Sequence, residues 1–499
     1  MSPKEPVNII ILGGSFAGIS VAHAFLRKTY DELSRQYESN TKIKAPRFRV
    51  ILVSPSTHFF WNIAAPRALV SPKSVPHSKS FTPILEAFED YPEGRFTFIQ
   101  GTASALDTNA CKVDVTLCGE DLAFFLQNKS SRADSGTGKE TWEGNVGTSK
   151  TITKQISYHA LIIATGTSAE SPLLSLHGEH KKTIEAFDSF HAKIQNAASI
   201  IIAGGGTSGV ECAGQLATFL GGKQDISQRS STDPNSKPLC SRRAVRSRFK
   251  RRKSSPMVFP KSKSTSNSRI VTLISGNDRL LPNMSPKASE LAESQLRKLG
   301  VNIMHNTRLV TAQELPSGQT RCVLSDDLSI SCDLFVACTG VYPNTTWLPR
   351  DLLDTNGYIK TNAETLRVPS GGERIYAIGD CTDFSKKSLN DVYDALPILM
   401  QNLQNDLLAR GIWAQRHTFK DIGYFLDRLT DATYVRKKTM GTFIPVTRWG
   451  GVGLVNGRVV PSWYVWAVKG RDFGTEKGVL AARMGENPWV SGSYFMGGR

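Results

Sequence analysis

Short apolar runs recur along the chain, each closed by glycine, serine or asparagine, and several are separated by stretches whose apolar positions fall three and four apart. The runs FRVILVS (48–54), FTFIQGTAS (96–104), ALIIATG (160–166), SIIIAGGG (199–206), RIVTLIS (269–275), VNIMHNT (301–307), DLFVACTG (333–340) and RIYAIGD (374–380) are rich in β-branched residues and are predicted strands. Residues 15–38, 207–221 and 285–299 carry helical spacing instead. Strands alternating with helices predict an α/β chain of parallel, doubly wound sheets. Two polar stretches without apolar periodicity, 128–150 and 222–268, interrupt this pattern. The first is expected to be a long disordered loop between the strands CKVDVTL and TITKQISY, and the second a disordered insert.

With 499 residues the chain can hold two or three domains, each with its own core. No apolar run approaches the length of a spanning helix, so neither a membrane span nor a secretory signal is expected. The net charge of +17 is concentrated: residues 222–268 hold 13 Lys or Arg against Asp225 and Asp233, a net of +11, which leaves +6 for the rest. The basic run RRAVRSRFKRRK lacks the interleaved aromatics of a stacking surface, so specific nucleic-acid binding is not expected, although nuclear targeting by this insert stays open. The eight cysteines show no CxxC pair and no spacing for zinc, so no metal site is expected and a reduced, cytoplasmic setting is the simpler reading.

Two of the strand–helix junctions carry chemistry. IIILGGSFAGISVAHAFL (9–26) and IIIAGGGTSGVECAGQLA (200–217) each break an apolar strand with glycines and resume as a helix. Such a turn lets backbone N–H groups approach a pyrophosphate, with the positive end of a helix behind them. The later loop is a full G-x-G-x-x-G at Gly204, Gly206 and Gly209. The earlier one, Gly13, Gly14, Ser15, Phe16, Ala17 and Gly18, has serine in the middle place. One hexapeptide is weak on its own, but two in one chain point to one held and one exchanging dinucleotide, the arrangement that passes a hydride from nicotinamide to flavin. The strands LIIATGTS and LFVACTGVYPN end in Thr-Gly turns, the first at Thr165 and Gly166, and RIYAIGDCTD ends on Asp380.

With these segments the sequence resembles the flavoprotein reductases built from two dinucleotide folds. That resemblance implies FAD on the first loop, NAD(P)H on the second, and Asp380 on the flavin ribityl chain. The stretches VSPSTHFFWNIAAPRALV, RLLPNMSPKASELAESQLRKLGVNI and PVTRWGGVGLVNGRVVPSWYVWAVKGRDF are similar to the AMID group of apoptosis-inducing-factor-like, ferroptosis-suppressor-like oxidoreductases. This closer resemblance implies an NAD(P)H:quinone reductase in which Arg67 and Ala103 contact FAD, Glu211 faces nicotinamide and flavin, and Lys469 lies near the flavin. It also implies an FAD domain over 1–183 and 335–420, an inserted NAD(P) domain over 184–334, and a C-terminal segment over 421–499.

The sequence departs from the usual pattern at the acid that accepts from each ribose. Ser54 stands at that place in the first fold, and Ser275 with Gly276 in the second, which with Arg279 nearby admits NADPH as well as NADH. No cysteine pair follows the first loop and Cys212 has no evident partner, which argues against a thiol relay and for direct transfer to a planar acceptor, a quinone or similar molecule. Trp463, Tyr464, Trp466 and Phe473 cluster around Lys469 and Arg471. They suit either a packing helix or peripheral contact with a membrane or lipid droplet. The chain opens Met-Ser-Pro, without a myristoylation signal, so any anchoring is expected to be of another kind. A flavin monooxygenase, a pathway-specific oxidoreductase of specialised metabolism, and a nucleic-acid-binding or pro-death signalling protein remain the alternatives.

Overall fold

In the computed structural model, which describes residues 5–124, 151–221, 269–414, 426–437 and 441–489, the strand Val7–Leu12 lies near the centre of the larger sheet. Its residues Ile9, Ile10, Ile11 and Leu12 are buried on both faces: Ile9 and Ile11 pack on helices, whereas Ile10 and Leu12 pack on strand and loop residues such as Val113, Val115, Leu117, Ile359 and Val368. Seven strands run in the order Ile375–Ala377, Ala160–Ile163, Val7–Leu12, Phe48–Ser54, Phe96–Asp107, Lys112–Leu117, Thr153–Ser157. The first five pair in parallel; the last two extend the sheet antiparallel. In register Leu12 lies opposite Val53 and Ile163, and Ile163 opposite Ala377, so the carboxyl ends of four strands meet on one edge. The predicted strand at 96–104 is longer than the pattern indicated, because from Gly101 to Asp107, through a bulge between Ala103 and Ala105, it pairs with Lys112–Leu117.

A second sheet repeats the plan: Asn302–Met304, Ile270–Ile274, Ser199–Ala203 and Leu334–Ala337, all parallel, with Ala203 opposite both Ile274 and Ala337. The chain makes these four strands after Ala160–Ile163 and returns to the larger sheet only with Ile375–Ala377, so the second fold is inserted in the first. A three-stranded antiparallel sheet, Leu309–Glu314, Thr320–Leu324 and Ser329–Cys332, leads into the last strand of the second fold. The polar stretches 128–150 and 222–268 lie outside the described residues.

The helix over 15–38 forms as Phe16–Ala24 and Tyr30–Thr41 joined by a π-helical turn, Phe25–Thr29. The helix Thr207–Gly221 has the bounds its spacing indicated, and Pro286–Lys298 is capped by Ser285, whose side chain accepts from the Ala288 N–H. The 26-residue helix Leu389–Ala414 was not evident from its weak apolar stripe and its internal Pro397. The C-terminal segment builds a three-stranded sheet, Gly441–Thr447, Gly450–Val455 and Arg458–Val460, against Thr207–Gly221. The contact is close enough that a Cβ on Gly214 would overlap the Val446 carbonyl.

The sequence grouped four aromatics into one cluster, and the fold separates them. Phe473 is fully buried beneath Trp61, whose Nε1–H donates to its carbonyl at 2.9 Å, while Trp463 is 65% exposed. No single aromatic face forms because helix Ser462–Val465 ends at once in the π-helical turn Trp466–Gly470. Among the described residues no helix is long and apolar enough to cross a membrane.

His23, on the first helix, ties that helix to the C-terminal helix Thr475–Met484. One ring nitrogen donates to the Ala482 carbonyl at 2.8 Å and the other accepts from the Tyr91 hydroxyl at 2.7 Å, which fixes a neutral ring stacked 4.0 Å from Phe88. Burial pushes its pKa down from 6.5 to about 3, although the bond to Ala482 opposes this. A depressed folded pKa supplies stability above the unfolded value that is lost on acidification. Unfolding free energy is therefore expected to fall between pH 6.5 and about 3, by up to ~1.4 kcal/mol per pH unit from this group. Denaturant titrations of the native protein and of His23→Gln across that window check it: the variant's curve should be flatter.

Candidate functional site

At the edge where the strand ends meet, a cleft of about 660 Å³ opens beside the first glycine loop. Gly13 has φ +120°, a conformation that side chains rarely adopt, and a Cβ there would overlap the Ala164 carbonyl. That close approach seats the loop on the end of Ala160–Ile163. Gly13, Gly14, Ser15, Phe16, Ala17, Ala103, Thr165, Gly166 and Asp380, all singled out from sequence, line the cleft. Gly18 does not; it packs behind the loop, where a Cβ would overlap the Gly13 carbonyl. Arg67 is not on the cleft wall either.

Several features fit FAD. The cradle has no side chain at Gly13 or Gly14, helix Phe16–Ala24 points its N-terminus at the loop, and the space beside Gly166 is open. Asp380 is mostly buried in the cleft lining, which raises its pKa above the usual carboxylate value against the pull of Lys387. Lys387 was not anticipated. It lines the cleft, donates to the Thr382 carbonyl at 3.2 Å and lies 3.6 Å from the centre of the Tyr358 ring. Its only sequence signal is proximity to Asp380.

The second loop is built the same way. Gly204 has φ +123°, a Cβ there would overlap the Cys338 carbonyl at the end of Leu334–Ala337, and Gly209 packs on Gly204 as Gly18 does on Gly13. Gly206, the middle glycine, is exposed and faces open space. The repetition extends to the missing acids: a Cβ on Gly14 would lie 2.7 Å from the Ser54 Oγ, and the Ser275 hydroxyl abuts Gly205. Both serines are buried and turn back on their own loops, Ser54 donating to the Ser56 carbonyl at 2.9 Å and Ser275 to that of Asn277 at 3.3 Å. Arg279, a candidate for the nucleotide, donates through one terminal nitrogen to the Pro282 carbonyl at 2.8 Å. Its guanidinium satisfies the loop it belongs to.

The helix Ala65–Ala68, which follows the cleft-lining Asn62 and Ile63 in the chain, contributes Arg67 to a charged cluster joining three parts of the chain. Lys469 donates to Glu211 Oε1 at 2.6 Å, with side-chain exposures of 18% and 6%. One turn further along the helix, Gln215 Oε1 accepts from Arg67 Nε at 2.7 Å, and Arg67 also donates to the Gly470 carbonyl at 2.9 Å. The guanidinium lies 4.7 Å over the Phe473 ring. Burial raises the Glu211 pKa, with Lys469 opposing it, and burial then Arg448 lower that of Arg67 to about 10. Glu211 and Lys469 are brought together as one pair, while Arg67 clamps the second-loop helix to the C-terminal segment.

Cys212 does have a partner: its thiol and that of Cys338 are hydrogen-bonded, and together with burial this pushes the Cys212 pKa well up. The two are 126 residues apart, which is why spacing did not show the pair. Neither lines the cleft, and among the described residues its wall contains no cysteine. Among the described residues no group of three or more His, Cys, Asp or Glu is arranged to hold a metal.

The profile of the pyridine nucleotide-disulphide oxidoreductases matches residues 7–397. The oxidoreductase phnG of Penicillium herquei is 29% identical over 496 residues, 97% of this chain and 98% of that protein. Ferroptosis suppressor protein 1 of Xenopus tropicalis is 22% identical over 490 residues, 96% of each. Among solved structures, NDH2 from Plasmodium falciparum in complex with NADH shares the fold, with a TM-score of 0.55 at 13% identity over 97% of this chain and 100% of that one.

Proposed function

Since the chain belongs to the pyridine nucleotide-disulphide oxidoreductase family, we propose that it oxidises NAD(P)H and passes the electrons, through FAD, to a quinone or similar small planar acceptor. The coarser statement holds without the acceptor: the protein is an FAD- and NAD(P)H-dependent oxidoreductase with two Rossmann-like folds. One observation carries the proposal, namely two glycine cradles of the same construction, the first opening on a cleft with no thiol among its described lining residues to relay electrons. FAD supplies two-electron chemistry when bound; the chain's residues supply the setting.

Within that setting the first loop and Asp380 both line the cleft that would grip the dinucleotide, and Phe60 and Ile63 make part of the wall apolar. The Glu211–Lys469 pair, whose carboxylate stands on the second-fold helix, supplies either a positioned carboxylate for the nicotinamide or an ammonium proton for a reduced acceptor. Arg67 keeps this helix and the C-terminal segment in fixed relation. Exposed Trp449, beside Arg448, and Trp463 supply a surface for peripheral contact with a lipid phase from which such an acceptor could enter.

Steady-state oxidation of NADPH and NADH with short-chain quinones tests the proposal. The expected outcome is nucleotide oxidation that rises with quinone concentration and yields hydroquinone one for one. Stoichiometric hydroxylated product with no hydroquinone would indicate a monooxygenase instead.

A further inference from the structure

We infer that the second cradle prefers NADPH to NADH, and that Arg308 is the residue that recognises the 2′-phosphate. This rests on the nicotinamide-nucleotide reading of that cradle and adds the choice between the two forms.

The position past the end of the second strand of such a fold decides between a ribose hydroxyl and a 2′-phosphate: a carboxylate there accepts from the hydroxyl and repels the phosphate. Here the strand Ile270–Ile274 is followed by Ser275, which is fully buried with its hydroxyl turned to Asn277. The next residue, Gly276, is covered from a different element. A Cβ on Gly276 would lie 2.7 Å from Arg308 Cγ and 3.2 Å from its Nε, so the Arg308 side chain runs across this turn. The turn and the Arg308 segment are stitched together by backbone bonds, Thr307 N–H to the Ser275 carbonyl and Asn306 N–H to that of Asn277, both at 3.0 Å. Arg308 itself is fixed at its backbone, where its N–H donates to the Ser325 hydroxyl at 3.0 Å.

The arginine is thus anchored by its main chain, exposed, and without an ion-pair partner among the described residues. A planar guanidinium in that state can take a phosphate through two parallel N–H bonds. Arg279 is less suited, since one of its nitrogens is given to the Pro282 carbonyl. Asp278, exposed on the same turn, is the carboxylate that opposes the phosphate, and with solvent screening it keeps the preference modest.

Calorimetric titration of the FAD-loaded full-length protein with adenosine 2′,5′-bisphosphate and with adenosine 5′-monophosphate tests the inference without turnover. The 2′-phosphorylated fragment is expected to bind roughly tenfold tighter. That ratio should shrink as salt rises, collapse to near one in Arg308→Ala, and survive in large part in Arg308→Lys. Because Arg308 is exposed, melting temperatures of the variants should match the native protein. A ratio near one in the native protein, or an unchanged ratio in Arg308→Ala, overturns the inference while leaving the oxidoreductase reading intact. Binding of neither fragment overturns both.

Discussion

Gly13→Val is expected to purify without flavin. The native φ of +120° is strained for any side chain and severely so for a β-branched one, and the new Cβ would overlap the Ala164 carbonyl. Relieving the overlap moves the loop off the end of Ala160–Ile163 and away from the start of helix Phe16–Ala24. The pyrophosphate then loses both its backbone donors and the helix end behind them. Gly206→Ala is the informative contrast. Gly206 faces open space, so alanine fits the protein itself, but its methyl occupies volume needed by the second nucleotide. That variant should keep its flavin and native melting temperature while KM for NAD(P)H rises roughly tenfold. Flavin absorbance per chain and far-ultraviolet circular dichroism check the first result, and KM the second. A yellow Gly13→Val protein with a native spectrum would contradict the role given to the first loop.

Lys469→Met should both destabilise the protein and slow reduction by NAD(P)H. It removes the one ion-pair partner, among the described residues, of a carboxylate that is 6% exposed, leaving a buried charge uncompensated, at about 3–5 kcal/mol. Glu211 escapes by holding a proton, because burial already raises its pKa above the usual 4.5 and the opposing ammonium is gone. A raised folded pKa gives stability that is present at low pH and lost as pH rises, so the deficit of Lys469→Met should grow from acid towards neutral pH. The double variant Glu211→Gln/Lys469→Met should recover much of the stability, since neither charge remains, yet stay slow by roughly 100-fold in nicotinamide-dependent flavin reduction. Melting curves across pH together with rapid-mixing kinetics separate the two effects. Recovery of both stability and rate in the double variant would reduce the pair to a packing role.

What the chain order makes plain and what it conceals follow from distance along the sequence. The glycine loops, their strands and the buried helices after them are local, so composition and spacing reveal them, including the serines at 54 and 275 that replace an acid. The ties that shape the site are not local. Arg67 reaches Gly470 across 403 residues and Glu211 reaches Lys469 across 258. Spacing could not pair them, and the role of Lys469 came only from family resemblance. Arg67 and Arg279 show the same limit: both guanidiniums donate to carbonyls, of Gly470 and Pro282, that meet part of the desolvation of a long cation, and spacing does not reveal such bonds. Arg308 was overlooked because it lies in a different loop, between the strands Asn302–Met304 and Leu309–Glu314, from the turn it covers. The C-terminal sheet was overlooked because its strands are glycine-rich and weakly alternating; only contact with the second-loop helix at Gly214 explains their composition.

The most direct measurement is anaerobic mixing of the purified protein with one equivalent of NADPH while the visible flavin band is recorded. With both cradles filled and facing each other, the protein should be yellow, bleach within a single turnover, and regain its colour on addition of quinone. A colourless protein, or bound flavin that neither NADPH nor NADH can bleach, would contradict the pairing of two dinucleotide cradles on which the oxidoreductase assignment stands.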